Sequence, residues 1–291
     1  MKHPLSRFAS SPSPSGGGRT QWPGKASSTG ALARTTPRAG WGWALAGALA
    51  GALPALLVFA PAHWMAEGVA RASQGQVLLL QPRGTVWNGS AQLVLTGGSA
   101  SQDRAALPGR LDWQLRPDWA GLRAQLHAGC CTPAPLQAQA RLGLSGSSVA
   151  LADGESQWPA AILAGLGTPW NTLQPQGQLA LQTRGLQARW AAGRMALAGQ
   201  AQLDARAMSS RLSTLRPMGS YRLVLEGGEV PALTLSTLDG HLQLSGSGQW
   251  VGQRLRFAGE ASATPEREAQ LSNLLNIIGR RNGARSIITV G

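Results

Sequence analysis

The side chains able to carry out chemistry are few and scattered along the chain. Four histidines lie at positions 3, 63, 127 and 241, and none stands in a pattern with a nucleophile and an orienting acid, which hydrolysis requires. No HExxH segment, Walker loop or dinucleotide fingerprint occurs in the sequence. We therefore expect no enzymatic activity, no catalytic residue, no cofactor and no metal site.

The two cysteines, Cys130 and Cys131, are neighbours in the chain. A bond between neighbours closes only a small ring and cannot join distant parts of a fold, and the spacing differs from that of CxxC-type zinc ligands. In an oxidising compartment the pair could form a vicinal disulfide, stay as buried thiols or bond to another chain. Without CxxC spacing or a neighbouring base, a structural role is favoured over redox catalysis.

One long uncharged stretch occupies residues 39–66. From Trp41 to Trp64, a rise of about 1.5 Å per residue gives a helix long enough to cross a hydrocarbon layer of about 30 Å. Trp41, Trp43 and Trp64 stand where indole rings favour the headgroup boundary. Pro54 is tolerated where neighbouring groups or water satisfy the freed carbonyl. The sequence therefore predicts a transmembrane helix over residues 39–66.

Two alternatives accompany this prediction. The small residues at 60–62 imitate the cleavage site of a signal peptide, but the preceding segment of some forty residues is far longer than a secretory n-region. Gly47 and Gly51 form a GxxxG pair, which lets a second helix approach closely and suggests a homodimer through the span. An Ala/Gly-rich composition explains the same pair without any dimer.

The formal charge of +13 is distributed unevenly. Six of the cations and no acid precede the apolar stretch, and the first acid is Glu67. The positive-inside bias therefore places the N-terminus in the cytoplasm and the bulk of the chain outside it. The later arginines are isolated, so we expect no nucleic-acid binding. Residues 1–38, rich in Ser, Gly and Pro, predict a disordered basic cytoplasmic tail, followed after the helix by a β-rich domain over residues 67–291.

Short segments of this domain alternate apolar and polar residues, the pattern of strands with one buried face. The predicted strands are 77–81, 85–87, 91–95, 109–115, 122–127, 136–145, 178–183, 187–190, 195–204, 220–226, 232–235, 241–245, 249–251, 254–259 and 286–290. Helices are predicted over 156–166 and, capped by Thr264 with Pro265 in its first turn, over 264–278. The expected fold class is all-β: an elongated, strongly curved, mainly antiparallel sheet with one or two short covering helices. A two-layer sandwich would give a similar pattern.

Four tryptophans fall in or beside predicted strands, at positions 87, 113, 190 and 250. A large indole is usually buried, which favours a core role. Any of them that is exposed would be suited to bind a partner, and Trp87, Trp190 and Trp250 are the candidate contacts. The free edge of the sheet offers a second route, by addition of a strand.

Four segments together with the apolar stretch carry a family resemblance. They are GTVWNGSA at 84–91, LPGRLDWQL at 107–115, PMGSYRLVL at 217–225 and the glycine-rich segment with its following helix at 242–281. The chain resembles the type II secretion system protein N family. The resemblance implies a single-pass protein of the cell inner membrane with a periplasmic domain, acting as a non-enzymatic accessory subunit that binds other secretion components. An alternative function is a periplasmic carrier of lipid or another hydrophobic ligand on an apolar concave sheet.

Overall fold

The computed structural model describes residues 40–291 except 120, 144–145, 192–193 and 253. The described chain divides into two units, one that ends at Ala48 and one that covers Leu49–Gly291. The described residues form the helices α1 (Trp41–Val58), α2 (Ala62–Ala72), α3 (Trp170–Leu173) and α4 (Glu268–Ile278), with 3₁₀ helices over Ala160–Leu166 and Pro265–Arg267.

Sixteen strands of the described chain join in a single sheet. They are β1 (Val77–Gly84), β2 (Asn88–Thr96), β3 (Arg104–Ala106), β4 (Leu111–Asp118), β5 (Gly121–Ala128), β6 (Leu136–Gly143), β7 (Gly146–Leu151), β8 (Gly154–Pro159), β9 (Gln176–Ala191), β10 (Arg194–Ser209), β11 (Gly219–Gly228), β12 (Ala232–Gly240), β13 (Leu242–Val251), β14 (Arg254–Ala263), β15 (Arg280–Asn282) and β16 (Arg285–Val290).

The sheet is a meander in which each strand mostly pairs with its neighbours in sequence. The order is β1-β2-β4-β5-β6-β7-β9-β10-β11-β12-β13-β14-β16-β15, with β3 paired to β2 and β8 paired to β9. All of these pairings are antiparallel. The expected all-β fold class, with a large antiparallel sheet, a few helices and one apolar N-terminal helix, is confirmed.

Over much of the sheet, apolar residues of neighbouring strands stand opposite one another, although the register shifts between β1 and β2 and between the strands from β9 to β12. Residues directly opposite one another share a face. Examples along the sheet are Leu79 with Leu93, Leu126 with Leu136, Ala140 with Val149, and Leu203 with both Leu181 and Leu223. Burial of this face supplies the hydrophobic core.

Short helices cover parts of this apolar face. Helix α2 brings Ala62 and Val69 against Leu79 and Trp113. The 3₁₀ helix at 160–166 and helix α4 cover two further regions. The predicted stripe of α4 is confirmed, since Leu271, Leu274 and Leu275 are all buried there. The predicted cap differs: Thr264 is the N-cap residue of the 3₁₀ helix Pro265–Arg267, and Arg267 holds that position for α4. The Thr264 side chain makes no capping bond; its hydroxyl pairs with the His241 imidazole at 3.0 Å.

Several strand predictions need correction. Residues 85–87 form a turn, since Thr85 and Asn88 bond to each other through the backbone and the Thr85 hydroxyl. The predicted strands 178–183 and 187–190 are one strand, β9, which passes through a bulge opposite Gly199. Residues 156–159 belong to β8 instead of a helix, which begins as a 3₁₀ helix at Ala160. Strands β3, β7, β8 and β15 were not predicted.

The apolar helix is shorter than the predicted span of residues 39–66. Helix α1 ends at Val58 and α2 begins at Ala62, so Trp64 lies on the second helix. Pro61 has no backbone N–H and disfavours a helical conformation at the residue before it, which explains the break. Helix α1 is long and apolar enough to cross a membrane; that it does so remains a prediction. The tail predicted over residues 1–38 lies outside the described residues.

Candidate functional site

The turn at residues 85–87 joins the end of α1 to the sheet. The Trp87 indole N–H donates to the Leu57 carbonyl at 2.7 Å, and the Val86 amide donates to the Ala60 carbonyl at 2.8 Å. Pro61 forms an isolated bridge with Thr85. These contacts fix the α1–α2 junction, defined as residues 57–61, against the sheet domain.

Trp113 supports this turn from the core. It is 1% exposed, and its indole N–H lies 3.0 Å from the Val86 carbonyl and 3.3 Å from that of Thr85. Gly89 stands directly opposite Trp113. A β-carbon at Gly89 would lie 2.4 Å from the indole ring, so only glycine leaves room for it. The packing of Trp113 therefore explains why the 84–91 segment has glycine at position 89.

The glycines of the C-terminal segment have a similar reason. Gly246 pairs with Gly259, and Gly248 pairs with Phe257 on the neighbouring strand. Added β-carbons at these three glycines would lie 2.4 to 3.0 Å from atoms of the Phe257 ring. The phenyl ring thus occupies a trough that glycine alone provides, next to the region that α4 covers.

The candidate partner tryptophans differ in exposure. Trp87 and Trp250 are half-buried, and the Trp87 indole is engaged in the turn described above. Trp190 is 41% exposed and stands opposite Met195. Leu142 and Val149 are exposed on the same face, two and one strands away. We name these four residues, Leu142, Val149, Trp190 and Met195, the Trp190 patch.

Residues 75–288 match the family model for the type II secretion system (T2SS) protein N. This stretch contains the 85–87 turn, α4 and the glycines that make room for Trp113 and Phe257. The chain belongs to the type II secretion system protein N family. The match confirms the resemblance stated above and makes the protein a subunit of the secretion pathway. The family is an accessory secretion component and is not known as an enzyme. No curated protein and no solved structure matches the chain significantly.

The anchor residues predicted for this member of the protein N family lie mostly on α1, none of whose residues is buried. Trp41 and Trp43 are 84% and 85% exposed, and Pro54 lies inside the helix. Space is open around the β-carbon positions of Gly47 and Gly51. Trp64, on α2, is 49% exposed.

The structure joins Cys130 and Cys131 in a vicinal disulfide. Cys131 is buried against Leu107 and Ile162, whereas Cys130 is exposed. The adjacent Thr132 hydroxyl accepts the Ala128 amide and lies 3.1 Å from the His127 imidazole. The pair therefore sits in a turn held by local bonds. Within the described ranges, no cluster of metal-binding side chains occurs.

On the polar face, Asp204 and Arg222 form a cross-strand ion pair. The Arg222 guanidinium donates to both carboxylate oxygens, at 2.7 and 2.9 Å, while Gln202 and Arg206 lie at 3.1 and 3.5 Å. The hydrogen bond from Arg222 lowers the pKa of Asp204 below its ordinary value, against the opposing effect of burial. This buried carboxylate therefore stays ionised and joins β10 to β11.

On the apolar face, Tyr221 is 7% exposed. Burial raises the pKa of its hydroxyl, and the nearby Asp239 charge adds to the effect. Among the described residues, that hydroxyl has no hydrogen-bond partner.

The sequence did not predict the backbone bond between Val86 and Ala60 or the burial of the Tyr221 hydroxyl. Backbone contacts leave no signal in residue type. Tyr221 carried one signal, because it is the single tyrosine of the chain and lies in an otherwise aliphatic strand pattern.

Proposed function

We propose that this secretion subunit is anchored in the inner membrane by α1, with its N-terminus in the cytoplasm and its sheet domain in the periplasm, where it binds other secretion components. The family match over residues 75–288 carries the proposal. The uncharged, wholly exposed α1, which precedes the matched stretch in the chain, supports the anchor. The cations that precede α1 favour the orientation.

Fusions of alkaline phosphatase test the topology, because this enzyme becomes active only after export. A fusion after Gly291 is expected to be active, and a matched fusion after Arg38 is expected to be inactive. An inactive C-terminal fusion of normal abundance, combined with a fluorescent cytoplasmic reporter at the same position, would refute the proposed orientation.

The Trp190 patch supports partner binding. Exposed aromatic and aliphatic side chains clustered on one face are typical of protein interfaces, and Trp190 is the most exposed of the three candidate tryptophans. Trp87 and Trp250, both half-buried, are weaker candidates on this ground.

Photocrosslinking from position 190 tests this contact. A photoreactive amino acid at Trp190 is expected to capture a secretion subunit, identified by mass spectrometry, in cells that carry the complete secretion system. The matched control is position 119, where the tryptophan is fully exposed at 104% and lies outside the patch. Identical products from both positions, or no secretion subunit from position 190, would contradict the proposal.

We also propose a homodimer through α1. The open positions of Gly47 and Gly51 lie four residues apart and so on one side of the helix. Replacement of both by leucine is expected to abolish crosslinking between two copies in membranes. Gly42→Leu is the control, since Gly42 is equally open but lies on another side of α1. Unchanged crosslinking of the double variant would rule out this interface.

A further inference from the structure

A cavity of about 340 Å³ lies between the apolar face of strands β9–β13 and the helices that cover it. Each of five successive strands contributes at least one leucine to its wall, and α4 contributes another. Among these residues are Leu179, Leu203, Leu223, Leu235, Leu244 and Leu274. Its volume falls in the range of pockets that bind small molecules, whereas protein interiors normally leave few voids larger than a water molecule.

The cavity wall offers almost nothing to a polar ligand. Two serines, Ser209 and Ser210, line it, and the Ser210 hydroxyl already donates to the Leu173 carbonyl at 2.6 Å. Tyr221 also lines the cavity, yet its hydroxyl is fully buried. A charged or amide group placed in this space would lose its hydration without gaining partners. The cavity wall therefore favours a hydrocarbon occupant.

The apolar surface continues beyond the cavity along the same face. Ala201, Leu225 and Leu233 are the next residues outward on β10, β11 and β12, and they stand opposite one another in register. All three are half-buried, with no place in the cavity wall. The apolar track is thus longer than the cavity itself, which suits a linear chain better than a compact ring.

We propose that this cavity binds a single acyl chain. The methyl end lies under α4, the chain follows the apolar track out of the cavity, and the polar end lies in solvent. A free fatty acid and one chain of a phospholipid share this chemistry. Such a site would support the alternative function stated above, a carrier of lipid or another hydrophobic ligand. It does not depend on the topology or on the partner contacts proposed above, so failure of either leaves it standing.

The test uses the full chain purified in digitonin, whose rigid steroid does not compete as an alkyl chain. Two probes carry the same mid-chain diazirine: palmitate and a phosphatidylethanolamine. After irradiation, labels are expected on β10, β11 and α4, at residues such as Leu203, Leu223 and Leu274. Labelling by palmitate alone indicates a fatty acid site, and labelling by both indicates a phospholipid site. Labels confined to α1 and α2 would overturn the proposal.

Cavity-filling supplies the decisive variant. Ala205 lines the cavity, and Ala205→Phe is expected to reduce labelling at least about tenfold, since overpacking leaves no room for the chain. The control is Ala196→Phe on the same strand, at an exposed position that does not line the cavity. Equal labelling of the two folded variants would overturn the site.

A third variant tests the orientation of the chain. Tyr221→Phe removes a buried wall hydroxyl that has no hydrogen-bond partner among the described residues, and it keeps the ring. With the methyl end inside, labelling is expected to be unchanged or stronger. A loss of labelling would place the polar end at Tyr221 and so overturn the orientation. Circular dichroism of all three variants verifies that each is folded.

Discussion

Removing the Trp113 side chain should destabilise the sheet domain more than any exposed tryptophan substitution. Trp113 is 1% exposed and packs with Ala62, Leu79 and Ala91. Truncation of such a residue to alanine costs about 3 to 5 kcal/mol, because it loses transfer free energy and leaves a cavity. With a urea slope of about 3 kcal/mol per molar, suited to a domain of this size, the midpoint should fall by about 1 to 2 M.

The assay is urea unfolding of Trp113→Ala followed by far-ultraviolet circular dichroism. Trp119→Ala is the control, because Trp119 is fully exposed. Its free energy of unfolding should stay within about 0.5 kcal/mol of the unsubstituted protein. Trp113→Phe separates packing from hydrogen bonding. It keeps a large ring but leaves the Val86 and Thr85 carbonyls without their donor, which should cost about 1 to 3 kcal/mol.

Trp113→Phe should also loosen the turn at the α1–α2 junction. The Val86 amide bonds to the Ala60 carbonyl, so its hydrogen exchange should accelerate in this variant. A midpoint for Trp113→Ala equal to that of Trp119→Ala would refute the burial argument. Unchanged exchange at Val86 would refute the coupling between the indole and the junction.

Three further predictions concern single side chains. The chain has one tyrosine, so tyrosinate absorbance reports Tyr221 alone, and its hydroxyl should ionise well above the ordinary pKa of 10.0. The free energy of unfolding should decline above about pH 10, where the hydroxyl ionises in the unfolded state alone. Tyr221→Phe should remove this decline. The lowered pKa of Asp204 stabilises the fold above its ordinary 3.8, and this contribution is lost as the pH falls through the lowered value. Asp204→Asn should therefore flatten the acid limb of the stability curve and cost about 1 to 3 kcal/mol near neutral pH, because Arg222 loses its ionised partner. Gly246→Val should lower the free energy of unfolding by about 1 to 3 kcal/mol through overpacking against Phe257. In a double-mutant cycle, adding Phe257→Ala should recover part of this loss. Additive losses would contradict the contact between residue 246 and the Phe257 ring.

Much of the sheet could be predicted from sequence because alternation is a local pattern. The α4 stripe followed from leucines three and four residues apart, and most strands followed from period-two segments. The alternation continued through residues 85–87 as well, where a turn forms. That turn depends on Gly84, whose backbone φ of 86° is left-handed, and on bonds to residues that precede it by some thirty positions.

The sites were harder to predict than the strands because they depend on contacts distant in sequence. Trp113 and Trp190 both occupy apolar positions of strands, yet one is buried and the other exposed. The difference arises because α2 packs against Trp113. A cavity is less predictable still, since it depends on how closely α4 approaches β9–β13, and the same leucines would line a filled core.

Two apolar regions of the sheet can serve different purposes in this protein, one open and one covered by helices. At the Trp190 patch, side chains from β6, β7, β9 and β10 face outward, and a surface of this kind suits a macromolecule. At the cavity, α4 and shorter helices close over the sheet and leave room only for a narrow ligand. The two sets of residues do not overlap, so Ala205→Phe perturbs ligand binding while leaving the patch intact. Partner binding and ligand binding can therefore be separated within one sheet, because the helices that lie over its apolar face decide which part is open.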